Sequence, residues 1–423
     1  GFFNIFGQTD TSGSYMFYMT FDSSEQLYII DYDYPTNNYH FVTNRKFRDT
    51  SAWYHIVLAV DTTQATNTNR SKLYVNGVQE TSFSTANYPS QNLDTWVNHT
   101  TYPVRIGRFG WGHTTYFDGY MAEYNFIDGQ QLDPTHFGYT ESQTGLWRPK
   151  RYEGTYGTNG FYLDFLDNSS TSTLGIDKSP NGNDFTTNNF SVSSGKDGDS
   201  FIDTPTNNFP TLNSLVGGIT LSDGNLTRSG GVKQCMATFE LLNGKYYFEY
   251  KVEDSNGNHS IGVCQIDTDQ RDRINTEAAH YFANGEYKIE NNGQTSGFAS
   301  YTTGDIIGVA VDTTLSTPKI WFAKNNTWQG TGDPTTTGYS LTSGKKYVFS
   351  TDHGSSSGST TGTAFFGAHQ GEFNYDPPSG FKALSTKNLP PNVPSIIRPQ
   401  KHFDTLLYTA TGNAMTVTGL EFK

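Results

Sequence analysis

Two pairs of carboxylates are the first residues in this chain of 423 whose spacing could do chemistry. Glu249 and Glu253 in FEYKVED, and Glu286 and Glu290 in EYKIE, are placed so that both members of a pair share one strand face. A glycosidase needs two carboxyls about 5 Å apart for retention or about 6.5–9.5 Å apart for inversion. Each pair here brackets a lysine, Lys251 or Lys288, on that same face. The alternation therefore predicts two solvated outer faces rather than an acid/base centre. DTDQRD, with Asp267, Asp269 and Asp272, offers carboxylates for a cation but lacks the EF-hand spacing, its Gly and its terminal Glu, so a charged turn is expected and a loop cation site is the alternative. The ten histidines are scattered without zinc spacing. No G-x-x-x-x-G-K-[ST] loop is present. The chain is expected to be non-enzymatic, with no catalytic residues.

One loop stands out instead. GRFGWGHTTYFDG, residues 107–119, places Arg108, Trp111, His113 and Tyr116 between glycines that give large side chains little support from within. Exposed aromatics beside an arginine suit a sugar ring or a protein hot spot, so these four are the candidate ligand-binding residues. The alternative is a Trp folded over the rim, or a subunit contact.

A net charge of −13 argues against a surface that tracks phosphates, so nucleic acid is not an expected partner. No window approaches the roughly 20 apolar residues that span a bilayer, and membrane insertion is not expected. Cys235 and Cys264 both lie in apolar runs and are expected to be buried thiols, with a single disulfide as the alternative.

These residues must be positioned by strands. The chain is rich in Gly, Thr, Ser, Asn, Tyr and Phe, the profile of short strands joined by turns. In WYHIVLAVD, Ile56, Leu58 and Val60 share one face and Val57 and Ala59 the other, which predicts a strand covered on both faces in the middle of a sheet. KLYVNGVQE then places Asn76 and Gly77 where a type I′ hairpin turn is needed. The same grammar returns in GDIIGVAVD and KIWFAKNNTW, with Ile307, Val309 and Val311 on one face and Asn325 and Asn326 at the turn. AVDTT occurs in both copies and reads as a strand end and its turn, used in two separate sandwiches.

The expected fold is all-β: two antiparallel jelly-roll sandwiches in tandem, a loop-rich connector and the start of a further β region. The boundaries are 1–140 for the first sandwich, 141–214 for a Gly/Asn/Ser-rich connector, 215–385 for the second, and 386–423 for a Pro-rich linker leading into new strands. The connector keeps its aromatics, and Phe161, Tyr162, Phe165 and Phe185 are expected to pack on the first sandwich. Both ends read as cut from something larger.

SAWYHIVLAVDTT, KLYVNGVQE, YPVRIGRFG and YFDGYMAEYNFID together resemble the laminin G-like, concanavalin A-like domains. GKYYFEYKVED, HSIGVCQ, GDIIGVAVD, KIWFAKNNTWQG and FNYDPPSGFKAL resemble successive strands of a SPRY domain, with Asn326 where that family commonly has Gly. The first resemblance implies a strand-entry acid at Asp118, read as a structural turn, with a calcium ligand as the alternative and the sole cofactor expectation beside none. With TGLWRPKRYEGTYGTNGFYLDF and DKSPNGNDFTTNNFSV between them, the order of modules is similar to large virion proteins of marine tailed phages. That resemblance implies a fibre, tail or capsid-decorating protein on an extracellular particle assembled in the host cytoplasm. Its partners would be other virion proteins and a host surface glycan or protein. It would be a homo-oligomer, a trimer if a fibre. The competing readings are a virion-borne polysaccharide hydrolase or lyase, and a bacterial surface adhesin.

Overall fold

A computed structural model describes residues 3–49, 52–110, 115–141, 145–193, 198–215, 218–230, 234–254, 259–266, 277–353, 360–368 and 372–389. Trp111, His113, Asp267, Asp269, Asp272 and the strands expected over 401–423 lie outside the described residues.

The first sandwich is built from β1 (Phe3–Thr9), β2 (Tyr15–Phe21), β3 (Gln26–Asp33), β4 (Thr36–Lys46), β5 (Ile56–Val60), β6 (Ser71–Val75), β7 (Val78–Glu80), β8 (Phe83–Asn87), β9 (Arg105–Ile106) and β10 (Tyr124–Phe126). Among the described residues, one sheet runs β8-β4-β3-β2-β1-β9 and a shorter one runs β5-β6-β7. Phe6, Phe17, Leu27, Ile29, Tyr39 and Phe41 project from the larger sheet onto Leu73 of the smaller, with Ile56 and Leu58 half-buried against them. Aromatic residues carry much of this core, and Phe6 meets Phe17 edge-on at 5.6 Å.

β5 departs from the sequence reading. Its inner face meets that core, and Val57 on the other face packs on the Phe137, Tyr152, Tyr156 and Tyr162 cluster, so both faces are covered as expected. The strand is nevertheless at the end of its sheet, paired with β6 and, among the described residues, with nothing beyond. Val60 is half-buried and lines a cleft instead of joining the core.

The second sandwich is all strands. Among the described residues the larger sheet orders Ile219–Ser222, Thr227–Gly230, Thr360–Phe365, Lys245–Asp254, Ile306–Asp312, Lys319–Lys324 and Thr327–Trp328, and Tyr339–Ser340 and Lys382–Ala383 join it off that path. Lys382–Ala383 pairs in parallel with Lys245–Asp254, an exception to the antiparallel expectation. The facing sheet orders Cys235–Met236, Tyr347–His353, His259–Gln265, Ala278–Phe282, Glu286–Ile289 and Thr295–Ser296. Between them Phe248 lies 4.0 Å from Phe349, and Ile307, Val309 and Val311 have no exposed surface. Cys235 and Cys264 are buried thiols, and burial pushes the Cys235 thiol up to about 11.

The connector is ordered where it touches both sandwiches. Phe161–Leu163 pairs with β10, and Phe161 stacks on Phe126 at 5.3 Å while Phe185 meets it edge-on at 4.7 Å. Tyr162 joins the Phe137 cluster, and Phe165 is half-buried in a left-handed conformation. Further on, the Trp53 indole donates to Asp203 at 2.9 Å, the Tyr120 ring lies tilted against Phe201 at 4.2 Å, and Ile202 N–H donates to Ala368 of the second sandwich at 2.7 Å.

Candidate functional site

The loop that carries Arg108 begins where β9 leaves β1. Phe6 and Gly7 pair with Ile106 and Arg105, and Gly107 N–H donates to Ile5 at 3.1 Å. An isolated bridge between Arg108 and Tyr116 closes the loop, with Phe117 N–H donating to Gly107 at 2.8 Å. Phe109 turns inward and meets Tyr18 edge-on at 4.8 Å, which anchors the base. Gly110 is required by packing, because a Cβ there would fall 1.6 Å from Thr9 Cγ2. The Asn4 amide donates to Thr115 Oγ1 at 2.8 Å and ties the returning limb to β1.

Of the candidate ligand-binding residues, Arg108 and Tyr116 are therefore brought together. The guanidinium carbon lies 5.6 Å from the centre of the Tyr116 ring, within cation–π range, and the ring is half exposed. Arg105 is close enough that Arg108 adds to burial in lowering its pKa. The pair makes a cationic spot on an acidic protein. Asp118 is exposed just beyond, and among the described residues no group of three or more His, Cys, Asp or Glu side chains is arranged to hold a metal ion.

Of the four carboxylates expected on solvated faces, Glu253 and Glu286 reach solvent and Glu249 and Glu290 do not. Glu249 has no exposed surface, and burial pushes its carboxyl up against the lowering effect of its hydrogen bonds. Oε1 accepts from Tyr247 Oη at 2.9 Å and Tyr375 N–H at 3.0 Å, and Oε2 accepts from Asn374 N–H at 2.7 Å and the Asn374 amide at 3.0 Å. Lys251, on the same face, does reach solvent and pairs with Glu253 at 3.2 Å. The cause is residues 373–381, which return across this face with Phe373 and Phe381 over Tyr247 and Trp321. Glu290 is also buried. It lies one residue beyond Glu286–Ile289, where a φ of 47° breaks the alternation and turns the side chain inward. It accepts from Gln265 (3.0 Å), Tyr347 Oη (2.5 Å) and both the N–H (2.8 Å) and hydroxyl (2.6 Å) of Thr342. Four donors fill the acceptor capacity of each carboxylate, so both act as struts.

A deep cleft of about 1340 Å³ was not anticipated from the sequence. It opens between β5 and residues 117–132 and reaches down to Phe6 and Phe17. Trp53, Tyr54, Leu93, Met121, Tyr124 and Phe126 supply apolar walls. At one end Asp203 accepts from Trp53 and from Phe209 N–H at 3.3 Å, and burial together with nearby Glu372 raises its carboxyl to about 6. Burial likewise raises the Tyr120 hydroxyl, reinforced by Asp203, Glu372, Asp118 and Asp223 around it.

Comparison with known proteins fits this geometry. Residues 2–133 match the concanavalin A-like lectin/glucanases superfamily, and residues 245–337 match the SPRY domain. Among solved structures, the SPRY domain of human HERC1 is 18% identical, with 35% of this chain and 91% of that chain covered and a TM-score of 0.28. A second human SPRY domain is 16% identical, with 36% and 96% covered and a TM-score of 0.28. No curated protein matches the chain. The chain thus carries two β-sandwich modules of binding type in tandem, a concanavalin A-like domain and a SPRY domain, which suggest a binding or adhesion role.

Proposed function

We propose that this protein is a non-enzymatic virion structural protein, a fibre, tail or capsid-decorating component, that presents its two sandwiches for adhesion to a host surface or for particle assembly. The observation that carries the binding part is the contrast between its groups. Buried Glu249 and Glu290 are committed to four hydrogen bonds each, whereas Arg108 and Tyr116 are held together with the ring half exposed on a braced loop. Loops fixed on a rigid scaffold are where binding residues concentrate. An arginine over an aromatic ring suits an acidic saccharide or a protein hot spot. Trp111 and His113 belong to the same loop in sequence and extend this reading.

The virion part is supported by the resemblance of the connector, TGLWRPKRYEGTYGTNGFYLDF, to proteins of marine tailed phages. In this reading the protein sits on an extracellular particle assembled in the host cytoplasm, contacts other virion proteins and forms a homo-oligomer, a trimer if it is a fibre. It needs neither nucleic acid nor membrane insertion. No cofactor is required, and a calcium ion at Asp118 is the one to test. Mass spectrometry of purified particles, with adsorption measured for Arg108→Ala and Tyr116→Ala virions, tests both parts. Presence in the particle with weakened adsorption supports the proposal. Release of reducing ends from host polysaccharide, abolished by a single Glu or Asp substitution, would replace it with a hydrolase.

A further inference from the structure

The open edge of β5 carries an inference independent of the loop. The ladder between β5 and β6 pairs Ile56 with Val75 through Val60 with Ser71. It is flanked by Asn76 N–H donating to His55 and Asp61 N–H donating to Arg70, both at 2.8 Å. In an antiparallel pair the direction of the main-chain groups alternates along each strand. His55, Val57, Ala59 and Asp61 therefore turn theirs to β6, and Ile56, Leu58 and Val60 turn theirs into the cleft. Among the described residues no hydrogen bond reaches them there. The chain's own strand on the far wall, Tyr124–Phe126, is paired with Phe161–Leu163 instead.

We propose that this cleft is a binding site for an extended polypeptide strand from a partner protein, which adds to β5 by main-chain pairing and carries cationic side chains alternating with apolar ones. An exposed row of strand donors and acceptors is a template for another strand, and pairing at such an edge is a recurring mode of peptide recognition. The charge of the walls selects the partner. Among the described lining residues nine are Asp or Glu and two are cationic, and the pairing of Arg48 with Glu25 at 2.6 Å leaves eight acids against one cation. A strand that packs apolar side chains against Leu93, Tyr124 and Phe126 runs between walls that also carry Asp22, Asp94 and Asp118, and these favour lysine or arginine at its other positions.

The probe is the labelled peptide acetyl-Lys-Val-Lys-Val-Lys-Val-Lys-amide, titrated into the full chain by fluorescence anisotropy. Saturable binding is expected, weakened by salt and lost for the Glu-Val counterpart. N-methylation at alternate residues, which removes donors and leaves charge intact, is expected to weaken binding at least about tenfold. Val60→Pro deletes an N–H that points into the cleft, a position where an edge strand accepts proline, and is expected to remove binding. Should that variant unfold, gain of hydrogen-exchange protection at Ile56, Leu58 and Val60 on adding peptide to the unaltered chain decides the matter. Equal binding of the N-methylated peptide, or no gain in protection, overturns the proposal. Protection that rises with protein concentration and excludes the peptide would assign the edge to a second copy, and overturns it too.

Discussion

Ile56–Val60 and Ile306–Asp312 end in the same AVDTT, enter the same kind of hairpin, and differ in what lies beside them. The bonds that shape the strand end and the hairpin are the same in both. Asp61 accepts from Thr63 N–H and hydroxyl, and Asp312 accepts from Thr314 N–H and hydroxyl. Asn76 brackets its hairpin by accepting from His55 N–H with its side chain while donating its own N–H to His55, and Asn325 does the same with Ile306. Both turns have positive φ at both central residues, 49° and 78° for Asn76 and Gly77, 45° and 63° for Asn325 and Asn326. Asn326 therefore adopts the conformation that glycine commonly provides. The duplication is one architectural solution used twice. Yet Ile306–Asp312 is paired on both sides and buried from Ile307 onward, while Ile56–Val60 is paired on one side and, Ala59 apart, only half-buried.

The largest test of that contrast is truncation of equivalent residues. Ile307→Ala, at a site with no exposure, is expected to lower the stability of the second sandwich by about 4 kcal/mol, whereas Ile56→Ala should cost the first about 1 to 2 kcal/mol, read as separate denaturant transitions. Equal losses would mean that the open edge is closed in solution.

Next is pH. The Asp203 carboxyl, raised to about 6 from 3.8, is protonated more readily in the folded protein than in the unfolded chain. Its contribution to stability is therefore present below about pH 4 and lost as pH rises through about 6, on the order of 3 kcal/mol for this group alone. Comparing unfolding at pH 4.5 and 7 for the unaltered chain and Asp203→Asn checks this, and the stability of the variant relative to the unaltered chain should rise between pH 4.5 and 7. A third test removes the bracket from each hairpin. Asn76→Ala and Asn325→Ala should each cost about 1 to 2 kcal/mol through a strained left-handed alanine and a lost hydrogen bond. The smallest expected effect is on stability at the loop, where Tyr116→Ala should change unfolding by less than about 0.5 kcal/mol.

What the sequence discloses and what it withholds divide along physical lines. Period-two alternation reports which faces of a strand are covered, and it read β5 and Ile306–Asp312 correctly in that respect. It carries no information about edges, because main-chain groups are the same in every residue. Hairpins were legible since Asn-Gly and Asn-Asn are chosen by backbone conformation within four residues. Burial of Glu249 was not, since its cover comes from Asn374 and Tyr375 more than a hundred positions later. Glu290 was misplaced because a single residue of positive φ ended the strand before it. Arg108 and Tyr116 could be paired in advance only as members of one loop, and the close approach of Gly110 to Thr9 that shapes it has no sequence signature.

Native-state hydrogen exchange on the isolated chain tests the central contrast most directly. In Ile306–Asp312 successive amides should all exchange slowly, since alternate ones bond to strands on opposite sides. In Ile56–Val60 the amides of Val57 and Ala59 should be slow and those of Ile56, Leu58 and Val60 fast. Uniform slow exchange along Ile56–Val60 at low protein concentration would contradict the account, because it would show that the edge is already filled by the chain itself.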